Sequence, residues 1–179
     1  LALSKQNFIV DIVTSDLKNS KFCRSRKIRI INAGPCIGRY NLNIKLFLWI
    51  LNHRHKYDAF IIHGLWQFQS LLARILLKKR YFIFTHGQLD PFFGTNIGKN
   101  WIKKIYKKIY WFIIERKNLL SSQSVLLTSL GEKESLKKTF VNTGGIKKKI
   151  IRYGIIKPKI SKKRMLKKFF KRFSILKNK

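Results

Sequence analysis

Two apolar runs in this chain end in the same pair of residues. Asp58-Ala59-Phe60-Ile61-Ile62 leads into His63-Gly64-Leu65-Trp66-Gln67, and Tyr81-Phe82-Ile83-Phe84-Thr85 leads into His86-Gly87-Gln88-Leu89-Asp90-Pro91. A short apolar strand closing on a polar residue and a glycine is how a parallel α/β sheet presents its carboxyl edge, where ligands bind. Two such edges, close in sequence and built alike, predict one cleft lined by His63, Gly64, His86 and Gly87.

The rest of the chain alternates in the same way. Further strands are expected at 8–13, 27–31, 124–128 and 150–153, and helices at 42–54, 66–79, 97–120 and 131–139. Short strands alternating with helices indicate βαβ units and a parallel sheet. Near-continuous apolar strands suit a sheet covered on both faces. The expected fold is therefore α/β, a Rossmann-like doubly wound parallel layer. A length of 179 residues fits one domain with a substantial core. Residues 1–5 read as a helix end followed by a turn at Gln6-Asn7, so the sequence is expected to open inside a longer protein.

Charge is the second constraint. Forty Lys+Arg against seven Asp+Glu give a formal +33. Such a field attracts polyanions: nucleic acid, anionic lipid or phosphorylated substrates. Lysine enriched together with Ile, Asn and Phe also fits the drift of an AT-rich genome, which would leave many lysines solvated without a partner. The scarcity of acids is harder to assign to drift. No RNA-binding signature, zinc finger or clear helix-turn-helix is present, so no specific nucleic-acid partner is expected.

Two segments are amphipathic and basic. Trp101, Ile102, Ile105, Tyr106, Ile109, Tyr110, Phe112 and Ile113 form an apolar stripe, with Lys103, Lys104, Lys107 and Lys108 opposite. The ordinary expectation is that the stripe covers the sheet; the alternative is an interfacial membrane helix. Farther on, Ser161 can cap a helix carrying Met165, Leu166, Phe169, Phe170 and Phe173 between Lys and Arg. That helix either folds back on the sheet or meets a partner beyond Lys179. No apolar run approaches the ~18 residues that span a bilayer.

Other chemistry is thin. Cys23 and Cys36 form no Cys-x-x-Cys pair, and a reducing cytosolic setting is the simplest reading. His53-x-His55 supplies two of the ligands a zinc site needs, with no Cys or acid at zinc spacing, so no metal is expected. There is no Walker loop, no Gly-x-Gly-x-x-Gly and no Gly-x-Ser-x-Gly. Seven acids argue against a self-contained two-carboxylate glycosidase site. Glu132 and Glu134 sit at a helix start, where they favour the dipole. His86 could bond a sugar hydroxyl or a phosphate, or be a satisfied structural histidine. Trp66 could be core, Gln67 could face the cleft from the start of its helix, and Asp90 before Pro91 reads first as a turn former.

The run Ile62-His63-Gly64-Leu65-Trp66-Gln67 and the run Thr85-His86-Gly87-Gln88-Leu89-Asp90-Pro91-Phe92-Phe93 together resemble the amino-terminal domain of family-four-type (group 1) glycosyltransferases. Residues 104–115, the strand Ser124-Val125-Leu126-Leu127-Thr128-Ser129 followed by Glu132, and Ile150-Ile151-Arg152-Tyr153-Gly154-Ile155 match in order, so the similarity covers most of 1–156. The resemblance implies one half of a GT-B architecture. Residues 1–157 would be the Rossmann-like acceptor domain lacking its first strand, and 158–179 a basic linker helix toward an absent carboxyl-terminal donor domain.

The implied reaction is transfer of a sugar from a nucleotide-sugar donor to a polysaccharide or lipid-linked acceptor. It would retain anomeric configuration and need neither metal nor other cofactor. His86 falls where the family has a residue beside the transferred sugar. His63, Gly64, Trp66, Gln67, Gly87 and Asp90 are implied substrate-binding positions. Alone, such a half would not catalyse, because an incomplete cleft cannot hold both substrates in attack geometry. The expected location is cytoplasmic, with the basic helices making peripheral contact at the inner membrane face, near anionic lipid or a polyisoprenyl phosphate. The competing class is a non-enzymatic basic α/β module binding nucleic acid or anionic surfaces, and a third is a degraded gene product.

Overall fold

In the computed structural model the described residues are 3, 6–17, 28–91, 101–139, 143–151 and 161–173. Expectations for most of residues 1–5, Cys23, Phe92-Phe93, 97–100 and Arg152 to Pro158 lie outside them. In chain order the elements are β1 (Asp11–Thr14), β2 (Arg29–Asn32), α1 (Ile44–His53) with a 3-10 turn (Arg54–Lys56), β3 (Phe60–His63) and α2 (Phe68–Leu77). There follow β4 (Tyr81–Phe84), α3 (Trp101–Tyr110), a π-helical turn (Trp111–Glu115), α4 (Arg116–Ser121), β5 (Ser124–Leu127), α5 (Leu130–Thr139), β6 (Lys148–Ile150) and α6 (Lys162–Arg172).

The architecture is Rossmann-like α/β. β3-β4-β5-β6 form a parallel sheet in that order, and β1 and β2 form a two-stranded parallel ladder. Parallel strands cannot be joined by a tight hairpin, so each connection within the larger sheet must cross over. The ends of the helices follow local chemistry. Asn43 caps α1 by accepting the Leu46 N–H at 2.8 Å, and Ser161 caps α6, each satisfying an orphan first-turn donor.

One sheet face carries the core. Ile62, Tyr81, Ile83, Val125 and Leu127 project to it and pack with Leu46 and Ile50 of α1, Leu72, Ala73, Leu76 and Leu77 of α2, and Trp111, Leu119 and Leu136. The other face is covered unevenly, against the expectation of two buried faces. Leu126 and Phe84 are buried there, Phe82 is half-buried, and Ile61 on β3 is 46% exposed. An apolar run shows that a strand can tolerate burial on both sides, not that a neighbour supplies it.

Behind β1 and β2, Gly34 lies against the backbone that follows β1. Its N–H donates to Asp16 O, and a Cβ there would collide with the carbonyl oxygens of Ser15 and Asp16. Arg29 and Tyr57 both donate to the Asp11 carboxylate, which ties this ladder to the turn after α1 and holds Asp11 below its usual range.

The largest departure from expectation is α3. Its inward line is Lys107, Tyr110, Trp111 and Glu115, with Trp111 1% exposed and Glu115 fully buried. Most of the stripe predicted to cover the sheet points out instead: Ile102, Ile105, Tyr106, Ile109, Phe112 and Ile113 are exposed, Tyr110 turns inward, and the Trp101 side chain lies outside the described residues. Periodicity grouped the six exposed apolar residues correctly but put Tyr110 with them and Lys107 opposite, whereas both lie on the inward line. The seating of the Trp111 indole in the core, with a π turn re-phasing the helix at that point, decided which side faces in. Met165, Leu166, Phe169 and Phe173 on α6 and its end are exposed as well. Among the described residues no helix is long and apolar enough to cross a membrane.

Candidate functional site

The parallel register of β3 and β4 sets His63 beside Phe84. Both side chains therefore stand on the same sheet face, and their rings lie 5.8 Å apart and nearly parallel. His86, two residues past Phe84, returns to that face. Its ring stacks on Phe84 at 4.6 Å and on His63 at 5.1 Å. His63 Nδ1 and His86 Nε2 come within 2.8 Å, and both residues remain open to solvent. The two strand-end corners thus form one site at the carboxyl edge of the sheet.

The backbone that makes this possible is left-handed. Gly64 and Gly87 both have positive φ, as the His-Gly pattern anticipates. His86 and Trp66 have positive φ too, a conformation that costs a non-glycine residue about a kcal/mol or more each. Something must hold them. Two side chains whose reach the sequence does not announce do so.

The first is Glu132 in the opening turn of α5. Its Oε1 accepts from the Thr85 hydroxyl and, at 2.9 Å, from the Gly87 N–H. Its Oε2 accepts from the Thr128 N–H at 2.7 Å and the Thr128 hydroxyl at 2.9 Å. Burial would raise its pKa, but these donors together outweigh burial and hold the carboxyl below the usual range. A signal for it existed. Ser129 accepts the Glu132 N–H at 3.1 Å, and Ser129-x-x-Glu132 has capping-box spacing. The glutamate then reaches past its own helix to the neighbouring strand end. The second is Gln88, whose Oε1 accepts the Leu65 N–H at 2.5 Å and so bridges one corner to the other.

These bonds limit what the site can do. The Gly87 and Leu65 N–H groups are already spent on Glu132 and Gln88, so the two corners do not present those amides to an anion. What they present is a pair of imidazoles. In the neutral pair one facing nitrogen carries hydrogen and the other a lone pair. A single added proton leaves that N–H···N contact intact, whereas a second sets N–H against N–H. The contact is therefore compatible with at most one added proton on the pair. Burial of its ring, followed by the charge of His86, depresses the His63 pKa below 6.5. Such a pair can accept a proton from a hydroxyl, or hold one anionic oxygen when singly charged.

Of the sequence-derived positions, His63, Gly64, His86 and Gly87 come together. Gln67 starts α2 as its N-cap without a side-chain cap bond, and its Oε1 accepts from Gln69 Nε2. Asp90 is half-buried in the turn that Asp90 N–H closes on Gly87 O. Trp66 packs against Tyr110 and Trp111 with Lys107 Nζ 4.6 Å from its ring centre, so it belongs to the core side of the corner. His53 stacks on Trp49 and its Nδ1 lies 2.9 Å from Trp49 O, a structural role. Among the described residues no three His, Cys, Asp or Glu converge as a metal ion would require.

Behind Trp66 lies a buried polar cluster that the sequence did not announce. Glu115 Oε2 accepts from the Ser70 hydroxyl at 3.3 Å and from Asn118 Nδ2 at 3.4 Å. The Tyr110 hydroxyl close by donates to that of Tyr40 at 2.7 Å. Burial drives the Glu115 carboxyl up to about 7, against the bonds from Ser70, the Trp66 backbone and Asn118. No protein-family description, curated protein or solved structure matches the chain.

Proposed function

We propose that the chain is the acceptor-side half of a retaining glycosyltransferase of the family-four type, acting from the cytoplasm. It would move a sugar from a nucleotide-sugar donor to a polysaccharide or lipid-linked acceptor. The observation that carries this reading is the His63–His86 pair, 2.8 Å apart and open to solvent at the carboxyl edge of a parallel sheet. It stands in the segment whose His-Gly-Gln-Leu-Asp-Pro sequence resembles that family. On this reading His86 lies beside the transferred sugar, His63 restrains its ring and proton, and Gly64 and Gly87 allow the acceptor to approach the backbone. Fold alone would not support it, because one α/β layer hosts many activities.

A donor-binding domain would complete the cleft, so the property to measure on this chain is acceptor binding. Titration with candidate glycan and lipid-linked acceptors at two salt concentrations is the test. Binding that survives the higher salt and is lost in His86→Ala supports the reading; binding indifferent to His86→Ala refutes it. The formal +33 favours a second reading, a basic module holding polyanions without catalysis. Under that reading affinity falls steeply with salt and ignores the histidines.

A further inference from the structure

We infer that the outward stripe of α3 and its π turn is a docking surface for an anionic lipid bilayer. This inference goes beyond the proposed activity and stands whether or not the histidine pair handles sugars.

The stripe is one contiguous line at helical spacing: Ile102, Ile105, Tyr106, Ile109, Phe112 and Ile113, between 45% and 69% exposed. Isolated exposed apolar side chains are ordinary; a row of six on one helix marks an interaction surface. The helix cannot roll to bury it. Trp111 is locked in the core, the Tyr110 hydroxyl bonds Tyr40, and Lys107 sits over Trp66.

Charge selects the occupant. The only acid between residues 101 and 121 is Glu115, which is fully buried, while Lys108 and Lys117 are exposed on the same segment. A surface with apolar side chains along one line and exposed lysines on the same segment matches an anionic interface. There apolar groups enter the acyl boundary, lysines meet headgroups, and a tyrosine such as Tyr106 suits the level between. A second copy of the chain fits poorly, since each copy carries a formal +33.

The test is vesicle co-sedimentation of the full chain with phosphatidylcholine alone and with phosphatidylcholine containing phosphatidylglycerol. Wild type is compared with Ile105→Gln/Ile109→Gln, which removes apolar surface without changing charge. Both side chains are about half exposed, 46% and 49%, so the fold should be kept, and circular dichroism checks it.

Wild type should bind the anionic vesicles and not the neutral ones, and the double variant should bind at least about tenfold more weakly. Phe112→Gln gives a second reading should the double variant misfold. Equal binding of wild type and variants, or no binding by wild type, overturns the inference. So does a wild-type dimer in sedimentation that the double variant abolishes, which would assign the stripe to a second copy. His86→Ala should leave vesicle binding unchanged, and the stripe variants should leave binding of a water-soluble glycan acceptor unchanged, so each proposal can fail without the other.

Discussion

Glu132→Gln is the substitution that tests the site geometry most directly. The change is isosteric, but the carboxylate has a donor pair on each oxygen, and each pair contains a backbone N–H: Gly87 on one side, Thr128 on the other. The amide nitrogen of glutamine must therefore face one of them, donor against donor. The threonine hydroxyls can turn and accept; the backbone amides cannot. One backbone bond is lost outright and the remainder weaken from charge-assisted to neutral, so about 2–4 kcal/mol of stability should go.

The pH dependence fixes the sign. The Glu132 pKa is lowered from 4.5, so its contribution is complete above that value and lost as pH falls through the folded pKa. Denaturant unfolding should show the full deficit of the variant near neutrality and a shrinking deficit below about pH 4. Release of Gly87 should also free His86 from His63, and the depressed His63 pKa, followed by NMR of the ring protons, should move toward 6.5. A variant within about 0.5 kcal/mol of wild type, with His63 titrating unchanged, would refute the claim that Glu132 holds the corner.

Glu115→Gln should behave oppositely with pH. A carboxyl raised from 4.5 to about 7 makes wild-type stability fall as pH climbs through that interval, by roughly 3 kcal/mol. The variant should lack that slope in unfolding series run from about pH 5 to 8, and parallel wild-type and variant curves would argue against burial of the charge. Gly34→Ala and Gly87→Ala should separate steric from conformational cost. At Gly87 a Cβ meets open space but φ is positive, so ~1 kcal/mol is expected. At Gly34 a Cβ lands on two carbonyl oxygens, and the loss should be at least about twofold greater in the same unfolding assay.

Much of the architecture was legible in the residues. Among the described residues, apolar runs bounded by turn residues marked the six strands to within a few positions, and β3, β4 and β5 each start or end within two residues of expectation. The His-Gly corners were legible for the same reason: a glycine after a strand signals a left-handed turn, and both Gly64 and Gly87 make one. Glu132 was not, because its importance lies in a bond to Gly87, 45 residues away. The π turn and the buried Glu115 were hidden too, since a glutamate among apolar residues looks the same in sequence whether it faces solvent or the core.

By itself the sequence determined what each segment could be: its period, its apolar side, where it had to turn, and an overall charge far from neutral. Only the tertiary structure decided which sides meet. Strand register put His63 beside Phe84 and hence under His86. The seating of Trp111 turned the α3 stripe outward, although the stripe is as regular as any core-facing one. Periodicity is a property of neighbours along the chain, whereas burial depends on which distant surface fits, and a helix with an aromatic residue on each side can be anchored by either.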